Sequence, residues 1–188
     1  MQDKDKQPQI DSSGNQITPI PVVDITNSTF QSIRGRYFVG RTDDLTLTPG
    51  YDAWAAIINP SDSNVNLWFN VFTLSNYTQN PYLAQIIFNS TPPGTGTVSS
   101  HVSPGNTALS PLPTPLSQIL FAQGVAGFPQ GGAGVLNRVI SAFMTDKAEY
   151  DGRFIFPPGG SLVIFLTPLG TASVTANVAF GWWEEPCV

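Results

Sequence analysis

The residues of this chain that could perform acid–base chemistry are few, and several occur in adjacent pairs. Asp43 is followed by Asp44, and Glu184 is followed by Glu185. Two carboxyl groups can hydrolyse a glycosidic bond when both face the same cleft. Successive residues of a β-strand point to opposite faces of the sheet, so we expect neither pair to form such a dyad.

A third group of carboxylates lies in the segment 145–152, TDKAEYDG, which contains Asp146, Glu149 and Asp151. Three carboxylates could hold Ca²⁺ loosely, but their spacing is not that of an EF-hand loop. One compensating cation, Lys147, lies among them. We therefore interpret the segment as a solvated hairpin tip between two strands, and we assign no metal site to it.

His101 is the only histidine and Cys187 is the only cysteine of the chain. A single histidine excludes a histidine-rich metal site, and a serine nucleophile paired with His101 lacks the G-x-S-x-G turn. Cys187 is the penultimate residue, so we expect a free thiol or a disulfide with another molecule. The sequence thus predicts no enzyme, no catalytic residue and no cofactor.

Composition restricts the partners of the protein. The net charge is −5, only 11% of residues are charged, and no basic cluster is present, so nucleic-acid binding is not expected. No apolar run is long enough for a signal peptide after Met1 or for insertion into a membrane. The many amide and hydroxyl side chains are typical of a protein outside the cell. Without a signal peptide, we expect it to arrive there by assembly around a spore or by release of a virus particle.

The fold class follows from apolar segments separated by turn residues, with glycine and proline counted at 17 each. In the segment 64–76 the residues assigned to one apolar face are Val65, Leu67, Phe69 and Val71. In the segment 171–186 the residues assigned to one face are Val174, Ala176, Val178, Phe180 and Trp182. Such alternation is typical of half-buried strands.

About eight or nine antiparallel strands predict a single jelly-roll β-sandwich over residues 31–188. The best helical pattern, at 116–127, is weak because it contains glycine and β-branched neighbours. The connection 90–115 is longer than usual, and we expect it to cover a sheet or to contact a neighbouring molecule. "PPGG" at 157–160 predicts a tight turn.

Trp182 and Trp183 close the last strand and cannot both point into one core if that strand continues. We expect one of them at the surface or in an interface, where tryptophan is enriched. The alternative is that both are buried at the end of the sandwich.

Residues 1–30 are predicted to form an extended N-terminal arm. Its apolar residues are Ile17, Ile20, Val22, Val23 and Ile25. Pro19 and Pro21 exclude a helix or a central strand there and keep the chain extended. Such a segment can add to the open sheet edge of another subunit through main-chain hydrogen bonds.

A jelly roll with an N-terminal arm, no signal peptide and a Ser/Thr/Asn-rich surface resembles the self-assembling subunits of bacterial endospore appendages. The closing FGWWEEP (180–186) is similar to the end of small uncharacterised proteins from spore-forming Firmicutes. The resemblance implies a homopolymer on the spore surface, with arms reaching into preceding subunits and with a spore-coat or other surface anchor protein as a further partner. The known arms carry clustered cysteines, whereas residues 1–30 contain none, so longitudinal contacts must be non-covalent or use Cys187.

Two other functions fit the same composition. One is a phage capsid, decoration or tail-fibre subunit in a virion. The other is a glycan-binding or trimeric tip module that would use an exposed Trp68, Trp182 or Trp183 as a sugar platform.

Overall fold

The structure, a computed structural model, describes residues 9–10, 16–17 and 23–187. One helix, α1, spans Asn27–Ile33. The strands are β1 (Gln9–Ile10), β2 (Gln16–Ile17), β3 (Tyr37–Arg41), β4 (Leu45–Leu47), β5 (Asp52–Ile58), β6 (Val65–Asn76), β7 (Tyr82–Phe88), β8 (Thr97–Val98), β9 (Val102–Pro104), β10 (Gln118–Val125), β11 (Ala133–Ile140), β12 (Thr145–Phe156), β13 (Ser161–Pro168) and β14 (Val174–Pro186).

Two antiparallel sheets form the domain. Sheet 1 has the order β11-β7-β13-β5-β10-β8, and sheet 2 has the order β12-β6-β14-β3-β9, with β4 also pairing with β14. Large apolar side chains from the two sheets share one core, among them Phe69, Phe180 and Ile164. The predicted all-β sandwich is therefore confirmed.

The central strands of sheet 1 are buried on both faces, which explains why their sequences are almost continuously apolar. On the face turned away from sheet 2, Trp54 packs with Val163 and Phe165. The Trp54 indole N–H donates to the carbonyl of Pro93, and the Phe128 ring meets Phe165 edge-on at 5.2 Å. Segments following β7 and β10 thus cover this face.

The alternation predicted for β14 is confirmed. Val174, Ala176, Val178, Phe180 and Trp182 all belong to the core between the sheets.

The alternation predicted for β6 is correct only in its first half. Phe69 lies in the core, but the register with β14 shifts so that Gly181 faces Val71 and Trp182 faces Phe69. Asn70 is the extra residue of this β-bulge, and a bulge reverses which side chains point inward. Phe72 is therefore buried in the core, and the prediction that Val71 faces it is wrong.

The helix α1 occupies the end of the predicted arm. Thr26 is its N-cap and its Oγ1 accepts the Thr29 N–H at 3.3 Å, while Gly35, at φ 71°, follows the last turn. The predicted boundary at residue 30 lies inside this helix, so residues 27–30 are helical and not part of an extended arm. The weak helical pattern at 116–127 is misleading, because this segment contains the strand β10.

The long connection 90–115 extends the edges of both sheets on one side of the sandwich. Its strand β8 pairs with β10 in sheet 1, and its strand β9 pairs with β3 in sheet 2. The connection therefore covers the edges that β3 and β10 would otherwise leave open, in agreement with the expectation that it covers a sheet.

The PPGG segment forms the predicted turn, with Gly160 N–H donating to the Pro157 carbonyl at 2.8 Å. It joins β12 in sheet 2 to β13 in sheet 1. The interpretation of the segment 145–152 as a hairpin tip is wrong, because this segment lies inside the strand β12.

Candidate functional site

The adjacent aspartates Asp43 and Asp44 have different partners. Asp43 Oδ1 lies 2.9 Å from His101 Nε2, and both side chains are exposed. Asp44 Oδ1 accepts a hydrogen bond of 3.1 Å from the amide of Asn177, which is buried. Each carboxylate therefore has a separate contact, although both residues lie in the connection between β3 and β4 and not in a strand as expected.

Glu184 and Glu185 also point in different directions. The Glu184 carboxylate is 6% exposed and accepts the Ser117 N–H at 2.8 Å and the Trp182 indole N–H at 3.1 Å. Glu185 accepts a hydrogen bond from the Gln31 amide of α1. Glu184 thus ties the end of the long connection to β14, while Glu185 ties α1 to the other face of the same strand.

Two of the three carboxylates of the segment 145–152 form separate ion pairs. Asp146 Oδ2 lies 2.7 Å from Arg138 Nη1, and Glu149 Oε1 lies 2.8 Å from Lys147 Nζ. Burial lowers the pKa of the Arg138 guanidinium, but its hydrogen bond to Asp146 contributes to a net rise above its usual value. Within the described residues no three metal-ligating side chains come together.

Both tryptophans of the last strand are buried, so the expectation of an exposed Trp182 or Trp183 is wrong for the single chain. Trp182 lies in the core, and Trp183 lies on the opposite face of sheet 2 with 1% of its surface exposed. That face is covered locally, because Trp183 stacks on Trp68 and a Cβ at Gly152 would collide with its ring. The residues before and at the start of α1 lie beside the same ring. The sequence does not predict that a distant strand and a short helix cover Trp183.

The predicted arm residues are placed as follows. Ile17 belongs to β2, which pairs with β1 so that Gln9 faces Ile17 and Ile10 faces Gln16. Ile20 and Val22 lie outside the described residues. Val23 and Ile25 directly precede α1 and are 79% and 42% exposed.

A second set of exposed apolar residues lies on β11 and in the turn that follows it. Its members are Val135, Leu136, Val139, Phe143 and Met144, with exposed fractions between 37% and 67%. β11 pairs with β7 and forms one edge of sheet 1. The position of β11 at an edge depends on strand order, which the apolar pattern of the sequence does not encode.

Residues 13–188 match the family of unknown function DUF6143. The chain belongs to the DUF6143 family. The match begins within the predicted arm, so the DUF6143 pattern includes the second half of the arm as well as the sandwich. No curated protein matches the sequence. Among the described residues of this DUF6143 chain, no helix has the length and hydrophobicity needed to cross a bilayer.

Cys187 of this DUF6143 chain follows β14 and is exposed, with its Sγ 3.7 Å from Asn66 Oδ1. As the only cysteine, it can form a disulfide only with another molecule.

The outer face of sheet 2 also carries a groove of about 580 Å³ between β6 and β9. Val39, Val71 and Ala179 form its apolar floor, and His101 lies at its rim. The bulge at Asn70 creates part of this floor, because it turns Val71 outward.

Proposed function

We propose that this protein is a structural subunit that assembles with copies of itself through its N-terminal arm. The observation that carries the proposal is the exposure of Val23 and Ile25, 79% and 42%, at the point where the arm leaves the domain. The sandwich core is filled by other residues, so these two side chains have no role in it. Burying them against a neighbouring molecule removes apolar surface from water and stabilises the assembly.

The sandwich suits this role because an extended chain can be added to a sheet edge. Main-chain hydrogen bonds then supply affinity, and alternate side chains set the register. An arm that enters the next subunit makes a head-to-tail contact, which produces an open filament when its rotation does not close a ring.

We also infer that the sandwich has jelly-roll connectivity. Nine strands have five or more residues; eight of them divide equally between the two sheets, and the ninth, β10, adds to sheet 1 beside β5. The eight are β3, β5, β6, β7, β11, β12, β13 and β14. Within this set of eight, each strand lies in the other sheet from the one before it, except that β7 and β11 are neighbours in sheet 1. Two Greek keys folded over each other connect eight strands in two sheets, and this order is compatible with that arrangement.

The resemblance to endospore-appendage subunits supports a filament on the spore surface. The partners in this proposal are further copies of the chain and a spore-coat or other surface anchor protein. A phage or virion subunit remains the alternative, because it would use the same fold and composition. The glycan-binding alternative loses its main support, since Trp182 and Trp183 are buried and only Trp68 of the three is partly exposed.

Deleting residues 1–25 tests the proposal, since it removes the arm and keeps the N-cap Thr26 and all of α1. We expect a folded β-protein with an unchanged far-UV circular dichroism spectrum and no filaments in negative-stain electron micrographs. Filaments of unchanged length from this variant would rule out assembly through the arm. Micrographs of the intact protein also distinguish a spore-surface filament from a virion subunit, because closed shells indicate a virion subunit.

A matched pair of point variants addresses the exposed side chains themselves. Val23→Ser with Ile25→Ser should abolish assembly, because both changes remove apolar surface from the arm. Phe30→Ser with Ile33→Ser is the control, since these residues of α1 are similarly exposed, at 42% and 59%, but lie beyond the arm. Equal behaviour of the two double variants would contradict a specific role for the arm.

A further inference from the structure

We infer that the arm of one molecule docks on the β11 edge of sheet 1 in a second copy of the chain. The docked segment is residues 22–26, VVDIT. This inference rests on the proposed function and adds to it the surface that receives the arm. It follows from a comparison of the four strands that end the two sheets.

Strand length excludes two of these edges. Sheet 1 ends in β8 and β11, and sheet 2 ends in β9 and β12. β8 has 2 residues and β9 has 3, whereas β11 has 8 and β12 has 12. Very short edge strands are a common protection against pairing with another chain, because they offer few main-chain hydrogen bonds.

Charge separates the two long edges. Lys147, Glu149, Asp151 and Arg153 are exposed at alternate positions of β12. Charged side chains along an edge oppose the addition of a further strand, because the incoming chain would desolvate them. In β11 the only charged residue is Arg138, and its guanidinium is held by Asp146.

The β11 edge is also apolar and regular over a suitable length. Val135, Leu136 and Val139 are 40%, 37% and 62% exposed. The register with β7 is disturbed between Gly134 and Leu136 and then runs without a break to Ile140. Five consecutive residues, 136–140, are therefore available to an added strand.

The segment 22–26 matches this edge in length and chemistry. It has five residues, lies between Pro21 and the first residue of α1, and contains no proline. In an extended chain Val23 and Ile25 share one face. Its only charged residue is Asp24. Because the segment adjoins α1, the receiving molecule lies directly beside the donating domain.

The first test replaces the apolar residues of the edge. Val135→Asp with Val139→Asp removes the exposed apolar surface and places carboxylates where Asp24 would approach. We expect at least a tenfold loss of sedimentable filament with an unchanged melting temperature. The control is Val39→Asp with Ile155→Asp, at residues that are 43% and 46% exposed but lie on β3 and β12. We expect this control to assemble normally.

The second test mixes two variants that each lack one half of the contact. The edge variant keeps its arm, and the variant without residues 1–25 keeps its edge. Each alone should be monomeric by light scattering, and the mixture should form a 1:1 dimer that cannot grow. Two edge variants mixed together should stay monomeric.

The outcomes separate this inference from the proposed function. If the edge variant still assembles while the arm deletion does not, the arm docks elsewhere and only the acceptor assignment is overturned. If the arm deletion still forms filaments, the proposed function itself fails. If the arm deletion forms a dimer that the two aspartates break, a second β11 occupies the edge, and this result also overturns the inference.

Discussion

Trp183 stacks on Trp68 across the outer face of sheet 2, with ring centroids 5.9 Å apart and planes inclined by 9°. Gly152 of β12 lies over the Trp183 ring, where any Cβ would collide with it. Trp183 is buried although it lies on the outside of the sandwich, because the partly exposed Trp68, Gly152 and the start of α1 lie against it. The two tryptophans of the FGWW segment therefore pack within the folded chain and do not form an exposed aromatic surface.

Gly152→Ala should destabilise the protein strongly, because the new methyl group needs the space of Trp183. The positive φ of 72° adds a strain of about 1–2 kcal/mol, and overpacking adds about 1–3 kcal/mol. Gly131→Ala is the matched control, since Gly131 has φ 68° and a methyl group added there would have no atom within 4 Å. Urea denaturation should show a larger loss of unfolding free energy for Gly152→Ala; equal losses would mean that the contact with Trp183 is unimportant.

Phe69→Ala should lower the free energy of unfolding by about 3–5 kcal/mol, because it leaves a cavity in the core. Val71→Ala should cost about 1 kcal/mol or less, since the bulge at Asn70 turns Val71 to the outer face. Chemical denaturation of both variants measures the difference. A large effect at Val71 would show that β6 continues without a bulge.

Cys187→Ser should leave assembly intact, because one cysteine per chain can link molecules only in pairs. Under oxidising conditions we expect a covalent dimer on a non-reducing gel for the natural protein and none for the variant. Assembly should also persist in reductant. Loss of filaments on reduction would indicate that a disulfide, rather than the arm, holds subunits together.

Asp52→Asn should stabilise the protein at neutral pH. Partial burial raises the pKa of Asp52 above its usual value of 3.8, although a hydrogen bond with Thr167 opposes this rise. The native state then holds the proton more tightly than the unfolded state, so the stability of the natural protein falls as pH rises through the raised pKa. The advantage of the variant should therefore disappear below pH 3.8. Thermal melts from pH 3 to 7 measure it; a gap independent of pH would exclude this cause.

Much of the fold could be predicted because it depends on local patterns. The strict alternation of β14 predicts Val178 and Phe180 in the core, where they lie, and the PPGG turn is where it is expected. Thr26 and Gly35 also carry a signal for α1, as an N-cap and a residue after the last turn. The extended arm was predicted across this helix because the two prolines before it favour an extended chain.

The sequence by itself determined the all-β class and the opposite directions of Glu184 and Glu185, since both follow from the two-residue period of a strand. Only the tertiary structure decided that Asn70 bulges, that Trp183 is covered and that β11 is an open edge. These features depend on which distant strands become neighbours and on what packs over each face. Such pairings are contacts between residues far apart in the chain, and the alternation within one strand does not predict them.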